Sequence, residues 1–445
     1  MTLITSISGI RGTIGGRSGD ALTPLDVLKF TAAYGTWVKS QSGKDDCTVV
    51  IGRDARLSGE MVSRIVASTL QGMGIDVVDG GLSTTPTIER AVVAEKAHGG
   101  IIITASHNPI QWNALKLLNQ HGEFLSARDG EEILRLAEIG EFTFAEVKKL
   151  GKYRTDDTFL KKHIEDILSL PLVNRAAIEK RGFNVVVDAV NSSGGVAVPM
   201  LLDALGVTKR TLLNCEPTGV FAHNPEPLPQ HLVQISSEIE KGRYDLGIVV
   251  DPDVDRLAFV CEDGGMFGEE YTLVAVADYV LSKQPGGNTV SNLSSTRALR
   301  DVTEKYGGKY FAAAVGEVNV VTAMKAHRAV IGGEGNGGVI YPAMHYGRDA
   351  LTGLALFLSH LAEFGYSVSR LRATYPDYYI SKNKIELTPE IDVDEILEMM
   401  KQKYEKNPVN TVDGVKIELG REWVHLRKSN TEPIIRIYAE SDSES

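Results

Sequence analysis

Hydrophobic and polar positions follow one plan that occurs three times along the chain. In the first copy, a β-rich run at 47–52 precedes a polar turn, a helical spacing of apolar residues at 61–72 and a short apolar run at 75–78. The corresponding strand, helix and strand are predicted at 184–188, 196–205 and 210–213, and again at 289–290, 296–306 and 309–313. A strand, loop, helix and strand in this order form the βαβ unit. The pattern therefore predicts three related α/β domains.

Each copy is followed by a second buried run that leads into a polar loop. These segments lie at 100–109, 245–256 and 329–338. From about residue 369 the pattern changes, because predicted strands at 423–426 and 434–438 flank a loop at 427–433. We predict α/β domains at 1–152, 153–256 and 257–368 and a smaller α+β domain at 369–445. Ligands of open α/β sheets bind at the carboxyl ends of strands, so the four loops are expected to face one central cleft.

Composition and charge narrow the classes of function. Of 445 residues, 43% are hydrophobic and 24% are charged, and 47 Lys and Arg stand against 58 Asp and Glu, a net charge of -11. This balance is typical of a soluble globular protein and argues against a nucleic-acid partner. No run approaches the roughly 20 apolar residues of a membrane span, and residues 1–16 lack the pattern of a signal peptide. The separated Cys47, Cys215 and Cys261 suit a reducing compartment, so a cytoplasmic protein is expected.

The loop Thr104-Ala105-Ser106-His107-Asn108-Pro109 is the first candidate for chemistry. It follows the apolar run 101–103, which would place Ser106 on a loop directly after a buried strand. The neighbouring His107, or Lys116 nearby in the sequence, could activate the hydroxyl or stabilise charge on it. Alternatively, Ser106 caps a helix or forms a turn with Asn108 and Pro109.

Three aspartates form the second candidate. Asp251, Asp253 and Asp255 alternate in a loop after the apolar run 246–250, and carboxylates this close repel each other unless a cation neutralises them. Few protein ligands, with room for a phosphate oxygen, favour Mg²⁺ over Ca²⁺. An EF-hand is excluded because Arg256 stands where the sharp turn needs glycine and because the flanks are predicted strands. A solvated acidic loop remains the alternative.

Two further loops suit a phosphorylated sugar. In the glycine-rich segment 332–338, Glu334 and Asn336 could bind hydroxyl groups, and the P-loop ending is absent, although a flexible hairpin is the alternative. Cations and hydroxyls that suit phosphate also occur together near the C-terminus, with a solvated basic turn as the alternative. This set comprises Arg427, Lys428, Ser429, Asn430 and Thr431, with Arg436 beyond it and Arg11 as a further cation near the N-terminus. Together the four loops indicate phosphoryl transfer on a phosphosugar.

The order of these motifs resembles the α-D-phosphohexomutase superfamily along essentially the whole chain. The matching motifs are S-G-I-R-G at 8–12, G-R-D-A-R at 52–56, T-A-S-H-N-P at 104–109, D-P-D-V-D-R at 251–256, G-E-G-N-G-G at 333–338 and R-K-S-N-T-E-P at 427–433. The glycine-rich version is most similar to archaeal and related bacterial phosphoglucosamine mutases. The resemblance implies three similar α/β domains and a smaller fourth domain around a central cleft.

The resemblance also implies a mechanism. A phosphate on Ser106 would pass to a hexose phosphate, giving a sugar bisphosphate that turns around and returns its other phosphate. One Mg²⁺ per chain would bind this serine and the three aspartates, while Arg11 and Arg256 hold the transferring group and Lys116 assists as an acid or base. Glucosamine 6-phosphate is the expected substrate; the alternatives are a phosphoglucomutase/phosphomannomutase or a metal-dependent phosphosugar phosphatase. The oligomeric state stays open, a homodimer included.

The remaining implied roles concern the substrate, and four positions depart from the family pattern. Glu334 and Asn336 would bind sugar hydroxyls, and the second phosphate would be gripped by Arg427, Ser429, Asn430, Thr431 and Arg436. Pro252 and Asn430 each replace a usual glycine. Asn336 and Gly338 replace a serine and a histidine of many members, so the acid/base role of that histidine cannot be carried over.

Overall fold

The computed structural model describes residues 2–6, 9–44, 46–386, 392–428 and 434–443, which form four β-sheets with flanking helices. Three sheets combine parallel and antiparallel strands, and the fourth is antiparallel. No helix within these ranges is long and apolar enough to cross a membrane. The predicted fold class, three similar α/β domains and a smaller α+β domain, is confirmed.

The first sheet has seven strands in the order β1-β2-β6-β5-β3-β4-β7. Its elements are β1 (Ile4–Ser6), β2 (Gly9–Thr13), α1 (Pro24–Ser42), β3 (Cys47–Arg53), α2 (Gly59–Gly72), β4 (Ile75–Leu82), α3 (Thr85–Ala94), β5 (Gly99–Ile103), β6 (Trp112–Leu118), α4 (Ala127–Ile139) and β7 (Tyr153–Thr155). Strand β5 is buried along its whole length between two apolar clusters, one on each face of the sheet. Helix α3 begins at Thr84, whose hydroxyl accepts a hydrogen bond from the Thr87 amide.

The second sheet has the order β11-β10-β8-β9. Its domain contains α5 (Phe159–Ser169), α6 (Arg175–Arg181), β8 (Asn184–Asp188), α7 (Gly194–Ala204), β9 (Lys209–Leu213), α8 (Val233–Lys241), β10 (Leu246–Val250) and β11 (Leu257–Cys261). Strand β11 pairs antiparallel with β10, so the predicted boundary at 256 separates this strand from its own sheet. The flanks of the aspartate loop are thus strands, which agrees with the exclusion of an EF-hand.

The third sheet repeats this arrangement in the order β13-β12-β14-β15. Its elements are α9 (Glu269–Lys283), β12 (Asn288–Asn292), α10 (Ala298–Lys305), β13 (Tyr310–Ala313), α11 (Glu317–His327), β14 (Ala329–Glu334), β15 (Gly338–Ile340), α12 (Ala350–Phe364) and α13 (Val368–Arg372). One continuous apolar cluster joins the second and third domains; it includes Ile248 beside β11 and Val339 and Leu354 of the third domain.

The fourth sheet is antiparallel, in the order β16-β20-β19-β18-β17. Its domain consists of β16 (Tyr379–Glu386), α14 (Val393–Lys403), β17 (Val409–Asn410), β18 (Val415–Leu419), β19 (Glu422–Lys428) and β20 (Ile434–Ser441). Its small core is separate from the others and contains Val393, Leu426 and Ile435. Arg427 and Lys428, predicted to begin a loop, lie at the end of β19 instead.

The three α/β domains carry their candidate residues at equivalent places. In each sheet a central parallel strand is followed by an antiparallel neighbour, giving the pairs β5–β6, β10–β11 and β14–β15. Ser106 lies between the first pair, the three aspartates lie between the second, and Glu334 and Asn336 lie at the turn of the third. The repeated βαβ plan therefore places each of these loops at the carboxyl end of a parallel strand.

Candidate active site

Ser106 is held in a tight turn with its hydroxyl directed at the aspartate loop. Its backbone has a φ of 48°, a left-handed conformation that is uncommon for a non-glycine residue. The Oγ atom donates a hydrogen bond to Asp251 Oδ2 at 2.7 Å, and the amide donates to Thr104 Oγ1 at 3.0 Å. No described helix begins at Ser106, so its hydroxyl is used between domains and does not cap a helix.

Arg56 fixes the shape of this serine loop. It is fully buried, and its side chain donates to the carbonyls of Ser106, Asn108, Pro109 and Trp112 at 2.6–2.9 Å and to Asp54 Oδ2 at 3.1 Å. The guanidinium thus makes five hydrogen bonds, as many as it has N–H groups, which the three donors of a lysine could not do. The sequence analysis cited G-R-D-A-R only for its resemblance and gave Arg56 no role.

The three aspartates lie together as predicted. Each of Asp251, Asp253 and Asp255 is buried, and one carboxylate oxygen of each lies within 4.8 Å of the others. The loop curls because Asp251 Oδ1 accepts from the amides of Asp255 and Arg256, both at 3.1 Å. Burial, followed by the charges of Asp253 and Asp255, raises the pKa of Asp251 well above its usual value.

The donor atoms of this cluster fit a divalent cation. Asp253 Oδ1 and Asp255 Oδ1 are buried and have no hydrogen-bond partner within the described part of the chain. Buried carboxylate oxygens without partners are costly unless a cation compensates them. Oxygen donors of this hardness suit Mg²⁺.

Lys116 supplies a fixed positive charge beside the aspartates. Its Nζ atom donates to Asp253 Oδ2 at 2.6 Å and to Asp255 Oδ2 at 3.3 Å. Burial would lower the pKa of Lys116, but the two carboxylates outweigh it and raise this pKa above its usual range. The side chain is therefore charged at neutral pH in this arrangement, and its role as an acid or base stays a prediction.

Positive charges also surround His107. Burial, then the charges of Arg256, Arg348 and Arg11, hold the pKa of His107 well below its usual value, so the ring is neutral. Burial and the charge of Arg256 likewise lower the pKa of Arg11 on β2. The structure thus brings Arg11 and Arg256 to the same side of the serine loop, where their combined field favours an anion.

Arg348 joins the aspartate loop to the third domain and was missed by the sequence analysis. Its guanidinium donates to Asp255 Oδ2 at 2.7 Å, to Glu334 Oε2 at 2.9 Å and to Glu317 Oε2 at 2.9 Å. In the sequence, the one local feature of Arg348 is its position directly before Asp349, the N-cap of the apolar helix α12. That pattern is equally common at solvated helix starts, so the sequence does not distinguish the two.

Glu334 and Asn336 lie at the β14–β15 turn. Glu334 is buried; its Oε1 accepts from Asn292 Nδ2 at 2.8 Å and from the Gly316 amide at 3.1 Å, while Oε2 is held by Arg348. Burial opposes ionisation of Glu334, but Arg348 and the hydrogen bonds lower its pKa below the usual value. Asn336 is half-buried, and its Oδ1 accepts from the Gly338 amide at 3.2 Å.

The predicted phosphate grip is described only in part. Arg427 on β19 lies directly across from Arg436 on β20, so the sheet brings these two cations together. Arg427 Nη1 also lies 3.5 Å from Asp413 Oδ2. Ser429, Asn430 and Thr431 lie outside the described residues, and their part in the grip stays a prediction.

Comparison with known proteins agrees with this geometry. Phosphoglucomutase/phosphomannomutase alpha/beta/alpha domains I, II and III match residues 3–143, 161–265 and 268–378, and the C-terminal domain of that family matches 384–445. The chain belongs to the phosphoglucomutase/phosphomannomutase family. The resemblance stated from the motifs is confirmed, and the protein is an enzyme of the isomerase class, as predicted.

Three relatives illustrate where the chain stands within the phosphoglucomutase/phosphomannomutase family. A phosphoglucomutase/phosphomannomutase of Thermococcus kodakarensis is 36% identical over 438 residues, which cover 97% of this chain and 94% of that protein. A phosphoglucosamine/phosphogalactosamine mutase of Sulfurisphaera tokodaii is 32% identical over 444 residues, covering 98% and 95%. A solved phosphoglucomutase/phosphomannomutase family protein of Burkholderia thailandensis, 25% identical, matches with a TM-score of 0.85 over 100% of this chain and 94% of that chain.

Proposed function

We propose that the protein interconverts the 1-phosphate and 6-phosphate of a hexose through a phosphorylated Ser106 and a sugar bisphosphate. One observation carries this proposal: the Ser106 hydroxyl lies 2.7 Å from Asp251 Oδ2, at the edge of a buried three-aspartate cluster. A hydroxyl in this position can hold a phosphoryl group against a cation. A loop used only for structure would not need three buried carboxylates beside it.

Asp251, Asp253 and Asp255, together with the Ser106 oxygen or its phosphate, would hold the Mg²⁺. When bound, Mg²⁺ would neutralise charge on the transferring phosphoryl group. The Oδ1 atoms of Asp253 and Asp255, which accept no hydrogen bond from the described residues, support this assignment. Lys116 neutralises the opposite oxygens of the same two carboxylates, so the cluster stays compact.

The remaining cations divide between two phosphates of the bisphosphate. Arg11 and Arg256, on the side of the serine loop, hold the group that is transferred. Arg427 and Arg436, paired across the fourth sheet, hold the other phosphate together with Ser429, Asn430 and Thr431. Contacts made to a phosphate alone serve both orientations of the sugar, as a mutase requires. His107, whose ring is neutral beside these cations, can donate a hydrogen bond to the transferring group or accept one from it.

Glu334 and Asn336 would contact sugar hydroxyls between the two phosphate sites. Each carboxylate oxygen can accept more than one hydrogen bond, so Glu334 Oε2 can bind a hydroxyl while Arg348 holds it. Glucosamine phosphate is the proposed sugar, supported by the G-E-G-N-G-G loop and by the Sulfurisphaera tokodaii relative. Glucose and mannose phosphates are the second candidates, because the Thermococcus kodakarensis relative carries those names.

The test follows turnover by ³¹P NMR with Mg²⁺ and a trace of sugar bisphosphate. Glucosamine 6-phosphate, glucose 1-phosphate and mannose 1-phosphate are compared in parallel tubes. We expect interconversion of 1- and 6-phosphates without inorganic phosphate, fastest for glucosamine. Steady release of inorganic phosphate would instead show a phosphatase.

A matched pair of serine variants tests the role of Ser106. Ser106→Ala should lose turnover and the phosphate that mass spectrometry detects on the serine peptide. Ser68→Ala removes an exposed hydroxyl on α2 and should behave as the wild type. Full turnover by Ser106→Ala would overturn the mechanism.

A further inference from the structure

A second group of metal-ligating side chains lies where the first three domains meet. His163 is on α5, His345 precedes α12, and Asp349 caps α12. One atom of each lies within 4.8 Å of the others. His163 and Asp349 are fully buried, and the His345 side chain is about one-tenth exposed. His345 is therefore the member of the group that reaches the surface.

The distances within this group suit a tetrahedral ion. Asp349 Oδ2 lies 3.0 Å from His163 Nε2 and 3.4 Å from His345 Nε2. Ligands bound at about 2.0–2.1 Å in a tetrahedron are separated by roughly 3.3 Å. Both histidines thus direct their Nε2 atom at Asp349 Oδ2. The Thr352 hydroxyl also contacts Asp349 Oδ2.

The other nitrogen of each ring is held from behind by α3. His163 Nδ1 lies 3.0 Å from Thr87 Oγ1, and His345 Nδ1 lies 3.2 Å from Glu89 Oε2. Histidines that bind metals use this second nitrogen for a carboxylate or another polar partner, which orients the ring and fixes its tautomer. The arrangement around both rings is therefore that of a ligand pair.

Glu89 is a buried carboxylate that faces the His345 ring. It is 1% exposed, and neither of its carboxylate oxygens makes a hydrogen bond of good geometry within the described residues. A buried carboxylate in this state needs a compensating charge. Despite burial, Asp349 and Glu89 raise the pKa of His345 to about 9, so a protonated ring supplies this charge when no ion is bound. An ion bound at His345 Nε2 would supply it in place of that proton.

We propose that His163, His345 and Asp349 bind one Zn²⁺ ion, with a fourth position open to water. Two imidazoles and one carboxylate suit Zn²⁺ and are poor ligands for Mg²⁺, so this site is chemically distinct from the aspartate cluster. The ion would join the second and third domains directly and the first domain through Glu89 and Thr87.

The position of α3 gives this ion a consequence for the active site. At the start of the same helix, Thr85 donates from its amide to the Asp253 carbonyl at 2.9 Å and from its hydroxyl to Asp253 Oδ2 at 2.6 Å. Glu89 is four residues further on, about 6 Å along the helix axis. Zn²⁺ would therefore hold in place the helix that supports the aspartate loop.

The experiment measures binding of Co²⁺, a coloured substitute for Zn²⁺, to the full-length protein stripped of metal with a chelator. Excess Mg²⁺ is present throughout to fill the aspartate cluster. We expect one equivalent to bind with the visible absorption of tetrahedral Co²⁺ and to be displaced by Zn²⁺. We also expect Zn²⁺ to raise the unfolding temperature of the wild type. Absence of both the absorption and the Zn²⁺-induced shift would overturn the proposal and leave a proton shared between His345 and its two carboxylates.

Matched variants locate the ion. His163→Gln and His345→Gln should each weaken binding by more than about 100-fold, and Glu89→Gln by about 10- to 100-fold through the ring it orients. His121→Gln, an exposed histidine, and Asp251→Asn, in the aspartate cluster, should keep the absorption. Loss of the absorption in Asp251→Asn would place the ion in the other cluster and refute the site. Circular dichroism of each metal-free variant separates lost binding from lost folding.

Discussion

Replacement of Arg56 by lysine tests how much the serine loop depends on one buried side chain. The guanidinium makes five hydrogen bonds, four of them to backbone carbonyls between Ser106 and Trp112. Lysine offers three donors, so at least two buried acceptors lose their partner. At about 1–3 kcal/mol for each unsatisfied group, the free energy of unfolding should fall by roughly 2–6 kcal/mol.

Replacement of Arg56 by methionine should cost more, because Asp54 would also lose its counter-ion. Burial already raises the pKa of Asp54, and the charge of Arg56 opposes this effect. Breaking a buried ion pair by removing one partner typically costs about 3–5 kcal/mol, and in Arg56→Met the four carbonyls lose their donors in addition. The double variant Arg56→Met/Asp54→Asn should recover part of this loss, since no buried charge then remains unpaired.

The assay combines urea unfolding, turnover, and hydrogen exchange of the amides at 104–112. We expect faster exchange in this segment and at least a tenfold loss of turnover in Arg56→Lys, because the Ser106 carbonyl is no longer held. Arg64→Lys changes an exposed arginine on α2 and should stay within about 0.5 kcal/mol of the wild type. The reasoning is refuted if Arg56→Lys matches Arg64→Lys in all three measurements.

Three further predictions concern charge, pH and backbone space. Lys116→Met removes a positive charge 2.6 Å from Asp253, so this variant should bind Mg²⁺ about tenfold more tightly in calorimetry. Its turnover should nevertheless be slower. Weaker Mg²⁺ binding would contradict this prediction. Burial lowers the pKa of His425 to about 4, so the unfolded chain takes up a proton before the folded one as pH falls below about 6.5. Stability should therefore drop from pH 6.5 to 4, by about 3 kcal/mol at most, and the pH slope of the unfolding temperature should flatten in His425→Gln. Gly219→Ala should lower the unfolding temperature, because the φ of Gly219 is +72° and the new Cβ would lie 1.9 Å from the Ala55 carbonyl oxygen. An unchanged unfolding temperature would show that the first and second domains can separate at this contact without cost.

The repeated plan of the three α/β domains could be predicted because it depends on local periodicity. Runs such as 184–188 are apolar and short, and the following helices show their own spacing, so element type follows from the residues alone. The candidate loops follow from the same logic, since each comes directly after a buried strand. The predicted domain boundary at 256 separates the strand Leu257–Cys261 from its sheet, because the sequence of a buried strand does not indicate which sheet it joins.

Residues that act through partners distant in the sequence could not be found in this way. The carbonyl partners of Arg56 lie 50 to 56 residues away, and the carboxylate partners of Arg348 include Asp255, 93 residues away. Neither distance is encoded in local spacing. The same reason hides the group around His163 and His345, whose members are 182 positions apart in the printed sequence.

The second and third domains share one apolar core, whereas the fourth domain has a core of its own, so their positions are fixed by different contacts. The separation between the aspartate loop and Glu334 is set by close packing, which cannot change without opening a cavity. The fourth domain contacts the third through polar pairs such as Lys416 with the Leu293 carbonyl and Arg300 with Glu418. If the domains separate, water can bond to both partners of each such contact. We therefore expect the fourth domain to shift more easily than the other three, so that ligands of different length could be held while the aspartate loop and Glu334 keep their separation.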